Sequence, residues 1–166
     1  MRWRVTERRL TNDGWGFESN CFVCEPANSA GLRIPFSHDV EGEIVFADFL
    51  LDGRFSGAPS YVHGGVTLAI LDEAVAWAAI AIGGKFAVTH TTTTVFDRPV
   101  RVDVPYRVEA RIADSGSERI TAQAEVRDEQ GQPRASTRAE LVVLGAAQAV
   151  DAIGATVDDD LAGFVR

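Results

Sequence analysis

The run from Val66 to Ile82 constrains this chain more than any other segment. It is apolar throughout except for Thr67, Asp72 and Glu73, it is rich in Ala and Leu, it holds no proline, and Gly83-Gly84 follows it. Ala and Leu favour helix, and glycines just beyond an apolar run supply a helix stop. A helix that is apolar on every face must be covered on every face. A bilayer is one cover, but each ionised carboxylate at its midplane costs about 2.5–3.5 kcal/mol, and two of them sit near the centre of the run. The chain is therefore expected to wrap this helix itself and to have no membrane partner.

The sequence downstream supplies the wrapping. Phe86 to Val95 is rich in threonine and β-branched residues, Tyr106 to Ile112 alternates apolar with charged residues, and Ile120, Ala122, Ala124 and Val126 alternate with polar ones. That period of two predicts half-buried strands. Asp128-Glu129-Gln130-Gly131 reads as a hairpin turn, with a further strand over Ala135 to Leu144. Upstream, Gly31 to Phe36 and Gly42 to Phe55 read as extended segments joined by a turn at Ser37 to Glu41. One buried helix followed by strands on short turns gives an α+β domain whose antiparallel sheet curls around the helix. At 166 residues, 46% of them hydrophobic, one core is easily filled and a second is not.

The net charge of −8 argues against a nucleic-acid partner, whose binding draws on Lys and Arg. Met1-Arg2-Trp3-Arg4 leads into polar sequence with no apolar core segment, so a cytoplasmic protein is expected. Residues 1–19 read as an N-terminal arm and 146–166 as an acidic C-terminal tail, solvated or loosely docked, with Asp158, Asp159 and Asp160 in a row.

A buried carboxylate costs several kcal/mol unless it is paired, so Asp72 and Glu73 need a reason to be where they are. Adjacent helical residues point about 100° apart. Asp72 shares its face with Gly65, Leu68, Ala69, Ala76 and Ala79, a mostly small row that leaves room for a ligand. Glu73 shares its face with Val66, Ile70, Trp77 and Ile80, a bulkier packing surface. The comparison favours Asp72 as the working acid and leaves Glu73 between a substrate contact and a bonded structural acid.

His63-Gly64-Gly65 stands at the helix start, where free N–H groups and the positive end of the helix dipole can polarise a carbonyl oxygen. A glycine backbone lets a ligand approach closely, while His63 serves equally well as a hydrogen-bonded structural residue. Nine residues of helix separate His63 from Asp72, about 13.5 Å of rise. One carbonyl cannot touch both ends within a single chain. If both serve one site, two subunits build it.

Cys21 and Cys24 form a lone Cys-x-x-Cys, and the histidines are His38, His63 and His90. A closed zinc site wants four ligands and a redox pair wants a thioredoxin-like context. Structural thiols are the expectation, with metal and redox roles open.

Cys21-Phe22-Val23-Cys24, Gly31-Leu32-Arg33, Val62-His63-Gly64-Gly65-Val66, Leu71-Asp72-Glu73-Ala74 and Arg98-Pro99-Val100 together resemble the hotdog-fold acyl-CoA thioesterases, in the PaaI-like or THEM4-like branch. The resemblance covers about residues 20–144 and implies a hotdog domain over 20–145: a long central helix wrapped by a curved antiparallel sheet, in homodimers or dimers of dimers with active sites at the dimer interface. It implies acyl-CoA as substrate and no cofactor or metal. By similarity Asp72 is the catalytic acid, as general base or nucleophile. Gly64 donates its N–H to the thioester oxygen from the other subunit, His63 positions the loop or the carbonyl, and Thr89 orients the attacking water. Gly65 and Glu73 would contact substrate, and Arg98, or Lys85, would meet the CoA phosphates.

Some departures stand out. Relatives carry Asn or Gln upstream of the His-Gly-Gly, whereas Gly57 and the loop after it offer neither. The run Thr91 to Thr94 is unusually polar. Strand alternation predicts Thr89, Thr91 and Thr93 on one side, with His90 structural or solvent-facing. A non-catalytic acyl-CoA-binding hotdog protein is the main rival. An enoyl-thioester hydratase or dehydratase is less favoured, because the sequence has no His-Phe-x-x-x-Pro-Gly-like signature.

Overall fold

The computed structural model describes residues 6–13, 18–154 and 161–166. The acidic triplet Asp158 to Asp160 and the first five residues lie outside them. Helix α1 spans Gly64–Ala81 and is apolar on all sides, as the sequence requires. Among the described residues seven strands form one sheet: β1 Glu7–Arg9, β2 Ser37–Asp39, β3 Ile44–Phe49, β4 Ala87–Phe96, β5 Tyr106–Ser115, β6 Arg119–Asp128 and β7 Pro133–Val143. Their order is β1-β2-β3-β5-β6-β7-β4, and every pairing is antiparallel. Because β4 follows α1 yet pairs with β7, the helix lies across the sheet and meets β3 to β7. This is the hotdog arrangement: a long central helix held by an antiparallel sheet.

Alternation does the burying. Along β6, Ile120, Ala122, Ala124 and Val126 face inward, and Val108 and Ala110 of β5 and Ala139 and Leu141 of β7 join them. From α1, Ile70, Leu71, Ala74, Val75, Ala78 and Ala79 are wholly inaccessible. Alanines on both sides bring the helix axis close to the sheet, and the branched residues fill the flanks. Each such Leu or Ile contributes about 1.5–3 kcal/mol by leaving water. α1 is the one described helix long and apolar enough to cross a membrane, and its place is this core.

The helix starts two residues before the apolar run, because the His63 side chain caps it: Gly65 N–H donates to His63 Nδ1 at 2.9 Å. Its end uses the two glycines differently. A Cβ at Gly83 would lie 2.7 Å from the Ala79 carbonyl oxygen, and Gly84 adopts φ +64°, the left-handed turn that sends Gly84 N–H back to Ile80 O.

Three expectations are corrected. The turn placed at Ser37 to Glu41 begins as strand: β2 is Ser37–Asp39, and the reversal falls at residues 40–43. Gly31 to Phe36 is not a strand, although Leu32 and Ile34 N–H groups bond to Phe22 and Val23 carbonyls. Thr89, Thr91 and Thr93 do not share a side. Thr89 pairs with Leu141 but Thr91 pairs with Glu140, so a bulge at His90 resets the phase. Thr89, Thr92 and Thr94 then lie on the helix side with Leu141, Ala139 and Thr137, while Thr91 and Thr93 face outward. His90 is exposed.

At the N-terminus, β1 adds a short outer strand. At the C-terminus, α2 (Ala146–Ile153) buries Ala149, and the final residues dock beside β4: Phe86 N–H donates to Phe164 O at 2.8 Å, Arg166 N–H donates to Leu144 O, and the Phe86 and Phe164 rings lie 5.2 Å apart.

Candidate active site

The hydroxyl of Thr89 donates to Asp72 Oδ1 at 2.6 Å. Two elements create this contact. α1 turns Asp72 toward β4, and the regular start of β4, before the bulge, turns Thr89 toward α1. Asp72 and Thr89 are both partly accessible, so the carboxylate sits at the rim of the apolar core and is not sealed within it. An O–H···O⁻ bond this short is charge-assisted and fixes the carboxylate plane.

At the other end of α1, His63, Gly64 and Gly65 are exposed. Gly65 N–H is committed to His63 Nδ1, so a neutral imidazole here carries its proton on Nε2. Gly64 N–H, in the first helical turn, has no intrahelical carbonyl to donate to. The Phe96 ring, at the end of β4, stands 3.8 Å from where a Gly64 side chain would begin. Gly64 and Asp72 are eight residues apart on α1, about 12 Å of rise. The structure thus joins Asp72 to Thr89 and groups His63 with Gly64 and Gly65, but it does not bring the two clusters together within one chain.

Glu73 turns elsewhere. One proton bridges its Oε1 and Cys21 Sγ, 3.4 Å apart. Burial, then the negative charge on Cys21, push its carboxyl up to about 7. Cys21 itself is held down to about 5, chiefly by the hydrogen bond from the Cys24 thiol, with Cys24 and Val23 N–H groups helping against burial. Cys24 is displaced upward by that same bond and by burial. Cys21, Cys24 and Glu73 present ligand-type atoms all within 4.8 Å of one another.

The two cations behave differently. Lys85 Nζ donates to Gly163 O at 2.9 Å and so anchors the C-terminal segment. Arg98 lies just beyond β4; its backbone N–H donates to Arg134 O, and the residue is exposed. Gly57 packs on His63, and a Cβ there would lie 3.3 Å from His63 Cα. A depression of about 500 Å³ on the outer sheet face, lined by Thr93, Arg111, Gln123 and Arg138 among others, touches neither Asp72 nor Gly64.

Sequence reasoning missed Thr92 and Thr94 as helix-side hydroxyls, since no pattern within a threonine run reveals a bulge. It also missed Phe96 beside Gly64, although an aromatic that closes a β-branched strand is a signal worth following.

Residues 60–135 match the Thioesterase superfamily. Among solved structures, a thioesterase superfamily protein is 26% identical with a TM-score of 0.65, the match covering 70% of this chain and 57% of that one. The chain thus spans little more than half the length of that relative. The Escherichia coli PaaI protein from the phenylacetic acid degradation operon is 20% identical with a TM-score of 0.61, covering 69% and 81%. A Streptococcus mutans protein bound to acetyl CoA is 16% identical with a TM-score of 0.59, covering 62% and 82%. No curated protein matches. The segment from residue 60 to 135, a little under half of the chain, carries α1, the His63-Gly64-Gly65 start and the Asp72–Thr89 pair; there the chain is similar to the Thioesterase superfamily, and the sheet described above gives it a hotdog fold.

Proposed function

We propose that the protein hydrolyses an acyl-CoA thioester to a free carboxylic acid and CoA, as a cytoplasmic enzyme of the PaaI-like branch. The observation that carries this reading is the 2.6 Å bond from Thr89 to Asp72: a partly accessible carboxylate in an apolar helix, oriented by one hydroxyl.

Thr89 occupies Oδ1, so Oδ2 takes the proton of a water whose oxygen attacks the thioester carbonyl. The Gly64 N–H of a second subunit receives the developing oxyanion, aided by the helix N-terminus. Collapse of the intermediate breaks the C–S bond, and the proton on Asp72 passes to the departing CoA sulfur. Direct attack by Oδ2, giving an anhydride that water then opens, is the nucleophilic variant of the same geometry. His63 holds the Gly64 loop through its cap, Gly65 borders the substrate path, and Arg98 meets the CoA phosphates.

Two features support a dimer. The rise along α1 keeps Gly64 and Asp72 of one chain apart. Among the described residues β4 ends the sheet with one edge unpaired and with Val88, Val95 and Phe96 about half exposed, so a second copy can extend the sheet there. Pairing of dimers into tetramers follows the family habit. The acidic charge and free thiols suit a reducing cytoplasm.

The test follows thiol release from aryl-, short- and long-chain acyl-CoAs. Asp72→Asn should lower turnover by at least about 100-fold with substrate still bound; wild-type activity in this variant overturns the assignment. The lack of an Asn or Gln at Gly57 and in the loop after it is what favours the alternative of a non-catalytic acyl-CoA-binding protein. Binding without turnover across the whole panel would establish that alternative.

A further inference from the structure

The reaction outlined above makes no use of the cysteines, yet they are not scattered. Cys21 Sγ, Cys24 Sγ and a Glu73 carboxylate oxygen lie within 4.8 Å of one another. They come from two elements 52 positions apart in the chain, a loop and the core helix. We propose that these three side chains form a binding site for a soft divalent cation, with zinc the best fit and a fourth position open to water.

Three observations carry the proposal. The first is spacing. Zinc holds thiolate sulfur at about 2.3 Å and carboxylate oxygen at about 2.0–2.2 Å, so the sulfur–oxygen edge of a tetrahedral site is about 3.5 Å. Cys21 Sγ and Glu73 Oε1 are already 3.4 Å apart. The second is the outer shell. Val23 and Cys24 N–H groups both donate to Cys21 Sγ at 3.4 Å, and Asn12 Nδ2 donates to Cys24 Sγ at 3.5 Å. N–H donors aimed at sulfur orient thiolate ligands and tune their charge. The third is the donor set. Two thiolates with a carboxylate favour a cation soft enough for sulfur, which excludes calcium and magnesium and selects zinc among abundant divalent ions. Among the described residues the side-chain hydrogen bonds at the partly buried Glu73 carboxylate are to thiols alone, which compensate its charge less well than a cation would. A bound ion ties the Cys21–Cys24 loop to α1 one residue from Asp72.

The experiment uses full-length protein, reduced and free of metal, titrated anaerobically with Co²⁺ and then with Zn²⁺ in competition. One equivalent of Co²⁺ should give a thiolate-to-cobalt charge-transfer band and tetrahedral visible bands, which Zn²⁺ then bleaches. Cys24→Ser should remove the charge-transfer intensity, and Glu73→Gln should weaken binding by more than the roughly 10- to 100-fold expected of an outer-shell loss. Should these variants fold poorly, the wild-type protein still decides the matter. Stoichiometric Zn²⁺ should shield both thiols from alkylation and raise the Tm. Absence of shielding, undiminished binding in a Cys21→Ser/Cys24→Ser variant, or a Cys21–Cys24 disulfide that takes up no metal once reduced each overturns the site. None of these readouts depends on hydrolysis, so the site stands or falls apart from the proposed activity.

Discussion

Gly64→Pro separates the chemistry of one N–H from everything else at the helix start. Gly64 is the first residue of α1 and His63 its cap. Proline is well tolerated at that first position, since its missing N–H would have no intrahelical acceptor and its fixed φ suits the helix. A following proline also restricts its predecessor to extended backbone, and His63 already sits at φ −57° and ψ 134°. Replacing glycine with proline at a compatible site stabilises by about 0.4–1 kcal/mol through the unfolded chain. The variant should therefore melt at or slightly above the wild-type temperature. If the Gly64 N–H holds the oxyanion, its loss should lower kcat by about 10²–10³, or roughly 2.7–4 kcal/mol of transition-state stabilisation. Stability and activity are thus predicted to move in opposite directions. Gly64→Ala is the control: it keeps the N–H, and its Cβ meets the Phe96 ring at an ordinary 3.8 Å, so activity should stay within a few-fold. The assay is thiol release beside thermal melts. A folded Gly64→Pro enzyme within about tenfold of wild type refutes the oxyanion role, and equal loss in both variants assigns the effect to space. Mixed with Asp72→Asn, the proline variant should regain activity in heterodimers if sites are shared. No recovery in verified heterodimers counts against a shared site.

Thr89→Val keeps the shape of the strand residue and deletes its bond to Asp72. A hydrogen bond to a charged acceptor is worth about 1.5–3 kcal/mol, so kcat should fall by about 10- to 150-fold with KM little changed, and Thr89→Ser should restore most of it. Valine activity within twofold of wild type, or serine as poor as valine, would remove Thr89 from the mechanism. Leu71, with no accessible surface in the core, should cost about 2–5 kcal/mol as Leu71→Ala and lower the Tm by roughly 5–15 °C in a scanning melt; a change under about 2 °C contradicts the packing described. Asp128 caps the β6–β7 hairpin, accepting Gln132 and Gln130 N–H groups and the Arg134 guanidinium, and these hold its carboxyl below the ordinary value. Its stabilisation is therefore complete above about pH 4 and fades as pH drops through the lowered value. Denaturation of wild type and Asp128→Asn should show a gap at neutral pH that narrows below about pH 4, and a constant gap argues against the linkage.

The central helix and the three long strands after β4 were legible because their patterns are strong. α1 is apolar without interruption, and β5, β6 and β7 alternate cleanly. β1 is three exposed polar residues, Glu7 to Arg9, and no periodicity marks such a strand; only its pairing with β2 makes it one. β2 reads as a turn because Ser37, His38 and Asp39 are turn-forming types, and contact with β3 overrides that preference. In the site, helical facing separated Asp72 from Glu73, and the structure gives the two acids different partners. The meeting of Glu73 with Cys21 could not be read, because nothing local links a loop cysteine to a helix so far along the chain.

The bulge at His90 makes β4 one residue longer than its partner requires. Because Thr91 to Thr94 are identical, losing any one of them yields the same string of letters. The shortened strand could then run straight from the Thr89–Leu141 pair to the Phe96–Ala135 pair, with a hydroxyl still at every helix-side position between them. Such a strand carries a spare character in a redundant code: a deletion that would invert both faces of an ordinary strand would here be absorbed, leaving the carboxylate's partner and the aromatic beside the helix start where they were.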